Sequence, residues 1–259
     1  MRKLAIILAL ALILCGGCAP KSLITLRIPD TDVDIMMKLI PAGDFVMGSP
    51  SLEQDRWDNE GPQHLVTITE PFYMGVFEIT QEQWLAVMET LPSEFGYIPG
   101  NPVERVSWDD CQDFITELNT LGIGTFRLPT EAEWEYACRA DTITTFPWGA
   151  DLTYGSLGEY AWYDDNSDDT THLVGGKLPN QWGLYDMHGN VFEWCNDLYG
   201  EYGIDPQTDP QGSTTGWSRV IRGGCMISPP DYCRSASRGN VTPTIGGNWI
   251  GFRLVRMAP

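Results

Sequence analysis

Apolar residues are distributed unevenly along this chain, and their spacing changes character from one end to the other. Leu4 to Leu14 is an unbroken apolar run directly after Arg2 and Lys3. It has about half the ~20 residues a membrane-spanning helix needs, so it reads as the apolar part of an export signal. Thr80 and Gln83 form a capping-box pair that predicts a helix through about Glu89. Ser107 caps a second helix, in which Cys111, Phe114, Ile115, Leu118 and Leu121 share one face and Gly122 ends it. Thr130 with Glu133 opens a third that turns Trp134, Ala137 and Cys138 inward. Short alternating runs over 65–69 and 72–79 predict strands. The second half shows little periodicity and is rich in Gly, Pro, Asp, Asn and Trp, which predicts long ordered loops held by buried aromatics or ions.

The start of the chain resembles a bacterial lipoprotein signal. Gly16 and Gly17 are followed by Cys18, whose thiol would carry a diacylglyceryl group and become the new N-terminus. Cys15 departs from the leucine usual three positions before that cysteine. An ordinary signal peptide cut nearby is the alternative, and both readings export the chain. The expected organisation is a signal peptide over 1–17, a tether over 18–35 and one domain over 36–259, since no low-complexity block or long linker divides the rest. Ala19 rather than aspartate after Cys18 resembles lipoproteins sent on to the outer membrane or the cell surface, with a periplasm-facing position as the other reading.

Charge narrows the partners. Sixteen Lys and Arg against 35 Asp and Glu give a formal charge of −19, which repels phosphate backbones and excludes nucleic acid. The same excess suits bound calcium or simply a well-solvated surface. Five cysteines follow Cys18: Cys111, Cys138, Cys195, Cys225 and Cys233. Export permits disulfides, and an odd number leaves at least one thiol outside any internal pairing. No CxxC pair or Cys/His cluster has zinc spacing.

Five blocks carry a family resemblance. They run over 40–48 (IPAGDFVMG), 60–66 (EGPQHLV), 127–139 (RLPTEAEWEYACR) and 182–194 (WGLYDMHGNVFEW). The last joins 219–224 (RVIRGG) to Gly251, Phe252 and Arg253. In order and spacing they resemble the formylglycine-generating enzyme, or sulfatase-modifying factor, family over about residues 38–257. The resemblance implies an α+β, variant C-type-lectin-like fold with little regular secondary structure, stabilised by calcium. Asp186, Gly189, Val191 and Glu193 match the family's calcium-ligand positions, two carboxylates flanking two main-chain carbonyls, which is oxygen chemistry suited to a hard cation. A tight turn with solvated acids is the plain alternative. The acidic run Asp164–Asp169 is no EF-hand, because Asp169 replaces the turn glycine and Gly175 falls at the bidentate glutamate position.

Catalysis is where the sequence departs from the family's enzymes. Those oxidases carry two cysteines five positions apart after a Gly-Gly-Ser segment, and the thiolates bind copper(I). Here Cys225 replaces the serine and Ser228 stands at the first cysteine position. Cys233 falls at the second, but the stretch to Arg238 is shorter than the enzyme pattern. Cys225 and Cys233 therefore carry catalysis only if this chain is a copper- and oxygen-dependent oxidase that converts a sulfatase cysteine to formylglycine. The favoured role for Cys233 is structural, bridged to Cys138, which matches a family disulfide position. Only His64, His172 and His188 are present and none adjoins another, so the histidine triad of the related iron-dependent branch is missing.

A non-catalytic reading comes from exported lipoproteins of this fold that are variable proteins of diversity-generating retroelements. Between Gly224 and Gly251, a framework of Cys233 to Ala236, Arg238 and Pro243 alternates with residues reachable by adenine changes from an asparagine codon. Ile227, Ser228, Tyr232, Ser237, Asn240, Thr244 and Asn248 are the candidate ligand-binding positions, and ordinary drift in surface loops is the alternative. The expectation is a lipid-anchored envelope protein that binds an unidentified protein or surface ligand through its C-terminal loops.

Overall fold

The computed structural model describes residues 21–258, so Cys18 and the signal run lie outside the described residues. In chain order the strands of the first half are β1 (Leu23–Arg27), β2 (Asp34–Ile40), β3 (Gly43–Met47), β4 (His64–Ile68) and β5 (Phe72–Gly75). Helices α1 (Gln81–Met88) and α2 (Trp108–Thr120), strand β6 (Phe126–Arg127) and helices α3 (Glu131–Arg139) and α4 (Leu157–Tyr160) follow. The second half supplies β7 (Phe192–Leu198), β8 (Gln207–Thr208), β9 (Arg219–Arg222), β10 (Arg238–Val241), β11 (Ile250–Gly251) and β12 (Val255–Met257).

The helix starts fall where side chains satisfy free backbone N–H groups. Thr80, Ser107 and Thr130 each accept from the residue three on, and Gln83, Asp110 and Glu133 reciprocate. On α2, Cys111, Phe114, Ile115 and Leu118 are buried at helical spacing, whereas Leu121 caps the end and is 37% exposed. Phe114 stacks on Trp84 of α1 at 5.2 Å, and both meet Phe252 edge-on.

Three sheets organise the rest, in the orders β1-β2-β5-β12-β6, β10-β9-β7-β11 and β3-β4-β8. The expected tether is therefore shorter than 18–35. Leu23 to Arg27 pair antiparallel with Lys38 to Asp34 and form the edge of the largest sheet. The predicted strand over 72–79 also ends early, at Gly75. From there the Val76 carbonyl turns toward Tyr185 and Arg253, carrying Glu78 into the interior. As the composition predicts, much of the second half is irregular yet buried: Trp194, Phe146, Cys233 and three arginines have almost no exposed surface.

Candidate functional site

The C-terminal loops begin where β9 runs out. Gly223 and Gly224 both have positive φ, +98° and +77°. A Cβ on Gly224 would lie 2.7 Å from the Cys233 sulfur, so this turn needs glycine both for its dihedral and for its contact. Buried arginines then fix the chain that follows. Arg222 Nη1 donates to the carbonyls of Ala236 and Ser237 at 3.0 and 2.7 Å, and Nη2 donates to the Ser235 carbonyl at 3.0 Å and pairs with Glu135. Arg234 forks onto Glu60 and also donates to Glu53 at 2.9 Å. Arg238 makes a two-point pair with Glu131, at 2.7 Å for each nitrogen. Glu131, Glu135 and Arg139 stand one helical turn apart on α3, so a single helix face supplies two of the acids that receive these loops. Arg222 and Arg238 are cross-strand partners in the β9–β10 ladder, which aims both guanidinium groups at that face.

On this frame the candidate ligand positions divide. Ile227, Tyr232, Asn240 and Thr244 are exposed and Asn248 is half-buried. Ser228 and Ser237 are corrections to the expected surface, since both are only 4% exposed. The Ser228 hydroxyl accepts from the Cys225 N–H at 2.9 Å, and the Ser237 carbonyl holds Arg222. The exposed positions also separate in space by their neighbours. Tyr232 meets Trp57 edge-on at 5.6 Å, while the 243–247 stretch bonds to the residues entering α2, Arg105 and Asp109. The acidic run packs under the first of these patches: Asp164 N–H donates to Ser228 and Ser167 Oγ to Met226.

The cysteines do not form the expected bridge. Cys111, Cys138, Cys195, Cys225 and Cys233 are all free and buried. His188 stands where the Cys138–Cys233 bridge was expected. Its Nε2 lies 3.6 Å from the Cys138 sulfur, and its Nδ1 donates to the Cys233 carbonyl at 2.6 Å. Burial pushes the Cys138 thiol up to about 12 and His188 down to about 4, so both are neutral. Burial raises the Cys225 and Cys233 thiols too, and the Cys225 sulfur sits 3.3 Å from Ser228 Oγ. Cys225 and Cys233 are 2% and 0% exposed, so neither sulfur is open to a peptide substrate from outside. His64 and His172 each face a main-chain carbonyl, of Pro62 and of Ser167.

The expected calcium residues meet in one buried turn. Asp186, Gly189 and Asn190 have left-handed φ values of 56°, 82° and 62°. A Cβ on Gly189 would stand 2.1 Å from the Trp162 carbonyl oxygen. Glu193 is fully committed: Arg253 donates to both its oxygens at 2.6 Å, and Trp134 adds a third bond at 2.7 Å. Asp186 differs, because Oδ2 accepts from the Gly175 N–H at 2.6 Å while Oδ1 is buried with no partner. Glu78, which the sequence reading missed, joins them by accepting from Asn190 and Val191. Burial pushes Glu78 well up, with Asp186 and Glu193 adding repulsion, and burial also takes Asp186 up to about 6. Arg253 is the buried cation of the group, and Lys177 acts on Asp186 from a more open position. Among the described residues no three His, Cys, Asp or Glu side chains are placed to hold a metal. Asp186 thus keeps one buried oxygen without a partner, whereas both oxygens of Glu193 are taken.

Glu53, Glu60, Glu131 and Arg253 carry the architecture of this region without having been singled out. Three of the four lie inside the sequence blocks quoted above, which is the signal that could have found them. Comparisons with known proteins agree with the blocks. Residues 29–258 match the family described as sulfatase-modifying factor enzyme 1-like domain. The formylglycine-generating enzyme of Streptomyces coelicolor is 36% identical over 175 residues, covering 62% of this chain and 54% of that protein. The chain therefore spans about half the length of that relative. Among solved structures, Treponema denticola variable protein 1 superposes with a TM-score of 0.82 at 30% identity, over 92% of this chain and all of that one. PvdO from Pseudomonas aeruginosa gives 0.80 at 29% identity, over 93% and 100%.

Proposed function

The chain belongs to the sulfatase-modifying factor enzyme 1-like family, with its α+β, variant C-type-lectin-like fold, and within that family we propose that it is a non-catalytic binding module. The observation that carries this reading is the division of the C-terminal loops into a locked inner face and a free outer one. Arg222, Arg234 and Arg238 hold the main chain from within, while Ile227, Tyr232, Asn240 and Thr244 project outward with Asn248 beside them. Side chains displayed on a fixed backbone lose little entropy on binding, and their identities can change without disturbing the fold. The similarity to a protein named as variable supports diversification by a retroelement as the source of such change. Cys18 supplies the lipid anchor that mounts this face on the cell envelope, toward an unidentified protein or surface ligand.

Purified protein given copper, reductant, oxygen and a peptide with the sulfatase Cys-x-Pro-x-Arg sequence is expected to leave the peptide mass unchanged. Conversion to formylglycine that disappears in Cys233→Ala would overturn the non-catalytic reading in favour of the oxidase. The retroelement reading expects an adenine-rich near-copy of the 219–253 coding segment beside a reverse transcriptase gene, and a locus with neither defeats it. Labelled palmitate should enter the wild type and not Cys18→Ser.

Calcium is the proposed structural ion, held by Asp186 with the Gly189 and Val191 carbonyls, where it would supply positive charge to a carboxylate-rich turn. Chelation should lower the melting temperature. A ligand at 100 times its Kd stabilises by about 2.7 kcal/mol, and an unchanged melting curve removes the ion from the account.

A further inference from the structure

Three of the five most exposed large apolar side chains among the described residues stand around one groove. Leu52, Ile143 and Leu152 are 96, 79 and 60% exposed and come from two separate segments of the chain. Pro50 and Ala150 extend the apolar lining of the groove, which measures about 440 Å³ and opens to solvent. Apolar side chains gathered on a surface, unlike single ones scattered over it, mark a place where something docks. The loops that carry them are tied to each other and to the frame. Gln54 Nε2 donates to the Leu152 carbonyl at 3.1 Å and to Asp55 at 3.0 Å, and the Tyr154 hydroxyl donates to Asp55 at 2.8 Å. Arg139 donates to the Thr144 carbonyl at 3.1 Å, and Arg234 to Glu53 at 2.9 Å. The groove is therefore built in advance, and filling it costs little ordering entropy.

We propose that this groove docks a segment of a partner protein that carries apolar anchors flanked by lysine or arginine.

Charge selects that occupant. The two segments that form the groove, 49–55 and 140–156, contain Glu53, Asp55, Asp141 and Asp151 and no Lys or Arg. Asp55 shares Gln54 Nε2 with the Leu152 carbonyl, which sets this carboxylate at the edge of the groove. Asp151 lies between the lining residues Ala150 and Leu152. Neither has a cation bonded to it among the described residues: Asp55 accepts from Gln54 and Tyr154, and Asp151 from Trp148 Nε1 and the Ser156 N–H. The arginines that bond into these loops are committed elsewhere, Arg139 to Glu135 and Arg234 to Glu60 and Glu53. An apolar floor with an uncompensated acidic rim complements apolar anchors set between cations. A membrane offers apolar depth, but its anionic headgroups would meet the rim with like charge. A second copy of this chain brings the same acids and a formal charge of −19. A small molecule would be enclosed on one side only, whereas small-ligand sites surround their ligand. The groove lies outside the C-terminal loops, so its docking role is separable from theirs.

Fluorescence anisotropy of a labelled peptide of repeating Lys-Leu-Leu-Lys, titrated with the full folded chain, tests this. Two matched peptides replace Lys by Glu or Leu by Ser. Saturable binding of the first peptide alone is expected. Leu52→Ser combined with Ile143→Ser should weaken it at least tenfold, and both side chains are exposed enough to change without unfolding the chain. Ile204→Ser, at a similarly exposed apolar residue that does not line the groove, should leave the affinity unchanged. Absence of binding, equal binding of either matched peptide, or undiminished affinity in the double variant overturns the proposal. Self-association, or sedimentation with phosphatidylglycerol vesicles, that the double variant loses also overturns it, since either result assigns the groove to another occupant.

Discussion

Two stretches of this protein are equally irregular to the eye and opposite in what holds them. The loops after β9 are fixed by charge: each of Arg222, Arg234 and Arg238 is buried and meets a buried glutamate from much earlier in the chain. The segment from Phe146 to Tyr160 is fixed by rings instead. Trp148 stacks between Phe146 and Tyr160 at 4.6 and 4.0 Å, and His188 closes on both Phe146 and Trp148. The difference teaches why the first stretch suits display. A guanidinium gripping carbonyl oxygens fixes the backbone and leaves side chains free, whereas an aromatic stack consumes the side chains themselves.

The comparison is broken most directly at the arginines. Arg234→Ala strands Glu60, whereas Arg222→Ala leaves Glu135 with Arg139 as its cation and takes the donor from the Ser235, Ala236 and Ser237 carbonyls; both acids lack exposed surface. Loss of one partner of a buried pair costs about 3–5 kcal/mol, so urea unfolding should show a large drop in midpoint for either variant. Next in size is a pH effect at Asp197, where burial and the Glu131 charge raise the carboxyl from 3.8 to about 8. The folded group is protonated where the unfolded one has ionised. Stability from this residue is therefore complete below pH 3.8 and is lost as pH rises toward 8, at up to about 1.4 kcal/mol per pH unit. Glu131 and Glu133 from α3 oppose ionisation, while Arg238 and the more open Arg219 favour it. Asp197→Asn should flatten that part of the pH–stability curve, and an unchanged slope assigns it to other groups.

The outer face sharpens the contrast from the opposite direction. Asn240→Ala and Thr244→Ala should each change stability by no more than about 0.5 kcal/mol, because both side chains are exposed. A loss comparable to that of the arginine variants would place them in the framework and sink the display reading. The smallest effect belongs to the thiols: with five free cysteines, dithiothreitol should leave the melting temperature where it was. Alkylation after denaturation without reductant should label all five.

What was legible in advance was local. Thr80, Ser107 and Thr130 announce helices because a cap and its partner are three residues apart, and the interaction that makes the helix start is complete within that window. Strand β1 escaped because its pairing partner, not its own pattern, makes it a strand; its alternation is only half-buried. Ser228 and Ser237 escaped for a related reason. In a loop without periodicity, nothing in the neighbouring residues says which side chain turns inward. The same holds for Cys138 and Cys233, which the family pattern joins and His188 separates.

The sequence by itself determined the family, the order of its blocks, the three capped helices, and the contrast between a framework and its interspersed positions. Those follow from residue identity and short spacing. Tertiary structure alone decided which glutamate meets which arginine, across separations such as the 174 residues between Glu60 and Arg234. It alone left Asp186 Oδ1 without a partner while clamping Glu193, and it alone buried Asp197 against the start of α3. The reason is that the free energy of a buried charge depends on what surrounds it in space, and a linear sequence does not state its surroundings.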